Sequence, residues 1–257
     1  DSADSFLVYG RGILHLGILV ETMRREGYEL TVGNPQVLVK EIDGKKHEPY
    51  EILVVDVPAE FSGKVIDLVT QRKGEMLVME SKGEMQHLEF EIPSRGLIGL
   101  RSNMLTNTAG EAVMAHRFLD YKPWKGVIPG RNNGVLLSKN TERTTAYSID
   151  KLQDRGRFFV DPGEEVYVGQ IIAEHIKPGD LVVNATEAKK LTNHRASGSD
   201  DASRAAPKIL MTLEECMEYI QQDECIEVTP KNIRMRKVIL DENERNRLAK
   251  SMKAEAV

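Results

Sequence analysis

Three short clusters in this chain place arginine or lysine beside small hydrogen-bonding residues, the pattern that recognises phosphate and sugar oxygens. The first, PSRGLIGLRS at 93–102, has Pro and Ser to open a helix and Arg95 and Arg101 near its exposed first amides. Arg95 and Arg101 would hold phosphates there, and surface ion pairs would satisfy them equally well. The second, LQDRGR at 152–157, is a tight polar turn in which Arg155 either faces an anion or braces the loop. The third, KKLTNHRASG at 189–198, lies in a polar stretch at 186–207 without hydrophobic periodicity. Across 181–211, Lys189, Lys190, Arg195, Arg204 and Lys208 stand against Glu187, Asp200 and Asp201, mixed with Asn184, Thr192, Asn193 and Ser197. Such a segment can order on a polyanion, its charges steering and its amides fixing register; composition alone is also satisfied by a solvated surface loop.

Covalent chemistry finds no comparable support. There is no G-x-x-x-x-G-K-[ST] phosphate loop, and Gly10-Arg11-Gly12 lacks the third glycine of a dinucleotide fingerprint. No G-x-S-x-G elbow and no H-E-x-x-H pair occurs, and the six histidines have no ligand spacing. His15, between Leu14 and Leu16, reads as a packed or partly exposed structural residue rather than a catalytic one. Cys216 and Cys225 form no C-x-x-C pair or disulfide framework, which points to a reducing compartment, and neither has an evident base beside it. The residues describe a non-catalytic chain with no cofactor or metal site of its own.

Charge narrows the partner. The 257 residues carry 35 Lys and Arg against 40 Asp and Glu, a net −5, which argues against an indiscriminate polyanion binder. The average conceals a separation: 212–228 holds six acidic residues and no Lys or Arg, whereas 229–253 holds eight basic residues against three acidic. With 40% hydrophobic residues the chain can bury real cores, and no apolar run nears the ~18 residues of a membrane span.

The elements that must position these clusters follow from periodicity. Residues 5–9 read as a short buried strand, 13–25 as a helix closed by Gly27, and 28–32 and 36–40 as strands around Gly33-Asn34-Pro35. That is too little sheet to cover one helix face, so the chain reads as beginning inside a domain. Residues 50–57, 58–74, 76–80, 85–92, 93–105 and 111–121 give the order βαββαβ, a ferredoxin-like signature. Beyond 125, strands at 134–138, 144–149, 158–160, 165–174 and 181–184 alternate with turns, suggesting a β-rich, barrel-like module. Thr212-Leu213-Glu214-Glu215 is a capping box opening a helix to about 222, 232–239 alternates apolar and basic residues, and Asp241 caps a last polar helix. The fold class is α+β in three parts: 1–41, part of one ferredoxin-like domain; 42–123, a complete one; and 124–257, β-rich with a short helix and a basic loop at 184–207. Short hinges are expected near 41–48 and 121–126.

At these clusters the chain resembles the C-terminal half of the BipA/TypA family of ribosome-associated translational GTPases. GRGILHL at 10–16 and RREG at 24–27 are similar to the end of domain III of elongation factor G-like proteins, and 48–121, with Arg72-Lys73-Gly74 and the 93–102 motif, to their domain V. Residues from about 124, with the 152–157 and 189–198 motifs, resemble the C-terminal domain peculiar to the family.

The resemblance implies a cytoplasmic, monomeric factor that docks between the ribosomal subunits and is linked to large-subunit assembly and stress adaptation. Its C-terminal loop would reach large-subunit rRNA and the acceptor end of an A-site tRNA. On that basis Lys189, Lys190, Asn193, His194, Arg195 and Arg204 are expected to contact RNA, with Arg95 and Arg155 as further contacts. GTP and Mg would belong to a G domain absent from this chain, which would neither bind nor hydrolyse GTP. No membrane is implied. The alternative is a stand-alone ferredoxin-like module binding a protein or small molecule, with the acidic helix at 213–222 as its interface.

Overall fold

The computed structural model describes residues 5–188 and 206–255, with side chains through Ser251, and divides into two units, Asp1–Asn34 with Arg131–Val257, and Pro35–Gly130. The first helix, α1 (Ile13–Arg25), forms where Ile13, Leu16 and Val20 recur at helical spacing, and Gly27 at φ 95° turns the chain out of it. The strand expected at 5–9 is absent: these residues pair with no ladder, and Phe6 is 84% exposed. Strand β1 (Leu30–Gly33) does not form the expected hairpin with 36–40; its partner lies almost 200 residues later.

In the unit Pro35–Gly130, β2 (Lys40–Ile42) and β3 (Lys45–Pro58) are joined by Asp43 and Gly44, both at positive φ, the two-residue turn that suits twisted hairpins. There follow a 3-10 turn, α2 (Ser62–Gln71), β4 (Glu75–Lys82), β5 (Met85–Pro93), a second 3-10 turn, α3 (Leu100–Asn107) and β6 (Val113–Pro123). The strands run β4-β5-β3-β6, all antiparallel, which is the βαββαβ ferredoxin-like arrangement. Alternate residues Leu53, Val55 and Val57 of β3 and Leu88, Phe90 and Ile92 of β5 are wholly buried beneath Val65 and Val69 of α2 and Leu100 and Met104 of α3. Each such side chain contributes about 1.5–3 kcal/mol through burial. The single helix expected over 93–105 is split, because Gly99 adopts the left-handed conformation at φ 68°.

The other unit supplies β7 (Val135–Ser138), β8 (Glu142–Arg143), α4 (Ala146–Leu152), β9 (Gly156–Phe158), β10 (Glu165–Val166), β11 (Ile171–His175) and β12 (Leu181–Val183). After 206 come α5 (Leu213–Tyr219), β13 (Glu224–Val228), β14 (Ile233–Lys237) and α6 (Glu242–Glu255). One open sheet runs β12-β7-β11-β9, with β12 parallel to β7; β8 pairs with β10; a third sheet runs β1-β13-β14. The unit is β-rich as expected, but among the described residues its sheets stay open and close no barrel.

Further expectations change. The strand at 144–149 is largely helix, because Thr145 caps α4 by accepting the Ser148 N–H. Residues 1–41 do not form a unit of their own: β1 hydrogen-bonds along β13 from Leu30–Val228 to Gly33–Cys225, and α1 packs on α5. An edge strand offered by one segment captures an unpaired strand of the other. The unit boundaries fall at 34/35 and 130/131, while the hinges expected at 41–48 and 121–126 lie within or beside paired strands. The capping box at Thr212 is present with both reciprocal bonds, and α5 stops at Tyr219, where Ile220 turns extended. Among the described residues no helix is long and apolar enough to cross a membrane.

Candidate nucleic-acid interface

The segment after β12 leaves the sheet through a set of hydrogen bonds that fix it on α4. Thr145 Oγ1 donates to the Glu187 carbonyl at 2.6 Å and Ser148 Oγ donates to the same oxygen at 2.9 Å. The Thr145 amide donates to Ala185, and Asn140 Nδ2 reaches Thr186 Oγ1 at 3.0 Å. Asn184 folds its own turn, its Oδ1 accepting from the Thr186 amide at 3.0 Å. The returning stem is held as well: Ala206 N–H donates to Gln153, Ile209 N–H to the Phe158 carbonyl at 2.8 Å, and the Lys208 ammonium to Glu164 and, at 2.9 Å, to Asp161. Glu164 and Asp161 raise the Lys208 pKa and keep its charge in place. Both ends of the stretch 189–205 are therefore anchored, beside α4 and β9.

Between α4 and β12 lies an open groove of about 280 Å³ lined by Ser148, Lys151, Leu152, Arg155, Asn184 and Glu187. Lys151 makes only a loose 3.7 Å pair with Glu187, both side chains being exposed, so little energy holds it there. Arg155 is exposed and has no ion pair among the described residues. Its backbone is fixed, the amide donating to Leu152 and the carbonyl accepting from Ile176. The next residue explains the motif's glycine: a Cβ at Gly156 would sit 2.4 Å from the Glu174 carbonyl oxygen, so only glycine admits β11 this close. A groove with a free guanidinium, an ammonium, an amide and one hydroxyl, beside the single carboxylate of Glu187, can hold a phosphate and hydrogen-bond a sugar or base edge.

Of the residues singled out from sequence, Lys189, Lys190, Asn193, His194, Arg195 and Arg204 lie outside the described residues. Arg155 is at the groove. Lys151, Ser148 and Asn184 are brought to it too; Lys151 was missed because its segment reads as a strand ending at 149. Arg95, in the other unit, is turned inward: Nε and Nη2 grip the wholly buried Glu48 carboxylate, Nη2 also reaches the Gly126 carbonyl, and the guanidinium lies 3.8 Å over the Trp124 ring. Arg101 donates at 3.3 Å to the Met114 carbonyl. The rest of the 93–102 motif is also architectural: a Cβ at Gly96 would lie 2.9 Å from the Arg72 carbonyl oxygen, and Arg72 Nη1 binds the Gly96 and Ile98 carbonyls. The buried thiol of Cys216 has its pKa pushed up to about 12 by desolvation, and burial also raises that of Cys225, so both are neutral packing groups.

The ferredoxin-like unit belongs to a known class of translation-factor domain: residues 45–132 match the family model described as elongation factor G C-terminus. Residues 133–242, which carry the groove, match the TypA/BipA C-terminal domain. The chain is 47% identical over 254 residues to the large ribosomal subunit assembly factor BipA of Bacillus subtilis, covering 98% of this chain and 42% of that protein. It is 46% identical over 257 residues to the factor of the same name in Salmonella typhimurium, covering 99% of this chain and 42% of the relative. For that of Synechocystis the identity is 47% over 240 residues, with 93% and 40% covered. The chain belongs to the BipA/TypA family and spans about two fifths of the length of these relatives.

Proposed function

We propose that this chain is a ribosome- and RNA-engaging portion of a large-subunit assembly factor of the BipA/TypA type, acting in the cytoplasm, with the loop at 184–207 as its main RNA contact. The observation that carries this reading is the anchoring of both loop stems on α4 and β9 beside the groove that holds the unpaired Arg155. Stems fixed at both ends lower the ordering cost of a basic segment meeting a polyanion. The relatives' printed name supports large-subunit rRNA as the partner, and the resemblance to elongation factors supports the factor-binding site and an A-site tRNA. A stress-adaptive role and GTP hydrolysis are assigned to the whole factor, the latter to a G domain beyond these residues. Arg95 serves this reading by holding its own unit rigid.

Cosedimentation with ribosomes over a salt series tests the proposal. The chain should pellet with ribosomes, and K189A/K190A/R195A should bind more weakly and reduce the slope of log K against log salt by about 0.7–0.9 per lost phosphate contact. An unchanged slope would overturn the loop assignment.

A further inference from the structure

The cations of the unit holding α4 fall into two populations. Before residue 210 many are paired, Arg24 with Glu21, Arg143 with Glu165, Arg157 with Glu174, and Lys208 with Asp161 and Glu164, while Arg11, Lys139, Arg155 and Lys177 have no ion pair among the described residues. From 231 to 250 unpaired cations predominate. Only Lys237 is buried and paired; Lys231, Arg234, Arg236, Arg245, Arg247 and Lys250 have no ion pair among the described residues. Arg245 and one nitrogen of Arg236 are spent on backbone carbonyls.

The arrangement on β14 is specific. Ile233, Met235 and Lys237 point inward, so Arg234 and Arg236 share the opposite face, about 7 Å apart by strand geometry. Directly across from Arg234 on β13 stands Glu227, the carboxylate that would ordinarily neutralise it. Glu227 instead accepts the hydroxyl of the half-buried Tyr167. Burial and Glu227 together push the Tyr167 pKa up, so that hydroxyl remains a donor across the physiological range. Glu227 keeps its charge opposite Arg234 but turns Oε2 to Tyr167, and neither half-buried arginine forms an ion pair among the described residues.

We propose that Arg234 and Arg236, with Lys231 at the head of the strand, form a second RNA-binding surface that takes the phosphate backbone independently of the loop at 184–207. It rests on the reading that this unit engages RNA. Paired guanidiniums on a rigid strand bind a sugar-phosphate track without selecting sequence, which suits a positioning contact.

The test measures binding of the full chain to a fluorescein-labelled 20-base-pair RNA hairpin across a salt series. R234Q/R236Q should lower the slope of log K against log salt by about 1.4–1.8, and reduce affinity at 0.15 M salt by roughly tenfold. R234K/R236K keeps the charge and should keep the slope, and thermal melts matching wild type establish the fold in both. The loss should add to that of K189A/K190A/R195A. An unchanged slope in R234Q/R236Q overturns the proposal, as does an equal loss in the lysine variant, which would make the arginines structural. A loss from the loop variant alone keeps the main reading and removes this one. A loss from R234Q/R236Q alone does the reverse for the loop.

Discussion

Arg95 clamps a carboxylate that has no access to water: the Glu48 side chain is 0% exposed and accepts Nε and Nη2 of Arg95 together with the Lys125 amide at 2.9 Å. The contact joins the 3-10 turn after β5 to the head of β3 and the end of β6, and Trp124 closes it from above.

Breaking this clamp from one side strands a buried charge. Arg95→Ala is expected to cost about 3–5 kcal/mol in urea unfolding, far more than an exposed ion pair. Trp124→Leu, which removes the stacked ring and leaves the ions paired, should cost about 0.5–2 kcal/mol. A loss below 1 kcal/mol for Arg95→Ala would show that Glu48 finds water when the arginine is gone.

Lys237 anchors the other unit in the same manner. Its ammonium is 3% exposed and contacts Asp180 at 2.6 Å, Asp223 at 2.8 Å and Glu224 at 3.0 Å; Glu224 also binds Arg131. Burial alone would depress its pKa, but Glu224, Asp180 and Asp223 outweigh burial and raise it. A raised pKa contributes stability that is present below the unfolded value near 10.5 and is lost only as pH climbs through the folded value. Lys237→Met should therefore destabilise by about 3–5 kcal/mol at neutral pH, with chemical denaturation as the measurement. That penalty should shrink above pH 10.5, where wild type loses its own contribution.

Two histidines should give the ferredoxin-like unit a pH response near neutrality. The hydrogen bond to Glu51 raises the pKa of His116, and Asp56 and Glu89 raise that of His87. Both contributions are complete below about 6.5 and fade as pH rises through the folded values. Burial opposes ionisation of Glu51, yet His116 and Ser94 lower its pKa overall, so its contribution appears above 4.5 and fades on acidification. Stability of the wild type should fall between pH 6 and 8, and His116→Gln should flatten that slope, leaving the His87 part. Equal slopes in calorimetry at several pH values would contradict the His116–Glu51 pair.

How much of this was legible beforehand depended on the range of the interactions. Leu53, Val55 and Val57 alternate within one strand, and Val65 and Val69 recur within one helix, so the ferredoxin-like unit could be read locally. The capping box at Thr212 is likewise complete within four residues. Arg95 was not legible, because Glu48 lies 47 residues away and nothing local marks it as buried. Neither was the capture of β1 by β13, since a strand's pattern records which faces are buried and not which edge it joins. Residues 144–149 misled because Thr144, Thr145 and Ile149 favour strands, whereas the Thr145 cap decides for helix. The groove inherited that error, so Lys151 was passed over while Arg155, marked by its turn glycine, was singled out.

Gly156 sets the position of Arg155, so the groove should be sensitive to a methyl group outside it. A Cβ there would meet the Glu174 carbonyl oxygen at 2.4 Å and Leu136 Cδ1 at 2.9 Å, and a backbone oxygen cannot yield as a side chain can. Gly156→Ala should cost about 1–3 kcal/mol by overpacking and move Arg155 off the groove. RNA affinity should then fall by as much as in Arg155→Ala, although the arginine is present. A destabilised variant that binds RNA as tightly as wild type would separate Arg155 from the interface.

The loop stem offers the finest discrimination, because Thr145 and Ser148 converge on one carbonyl. Ser148→Ala removes the 2.9 Å bond to Glu187 but leaves the 2.6 Å bond from Thr145, so the carbonyl stays satisfied and the cost should be about 1 kcal/mol or less. Thr145→Val removes that shorter bond and also the cap that accepts the Ser148 amide, two losses that together should cost about 2 kcal/mol. If the stem positions the loop for RNA, affinity should follow the same order, with Thr145→Val weaker than Ser148→Ala. Titrating a labelled RNA hairpin against both folded variants measures this, and affinities equal to wild type would mean that the loop engages RNA without help from its anchor.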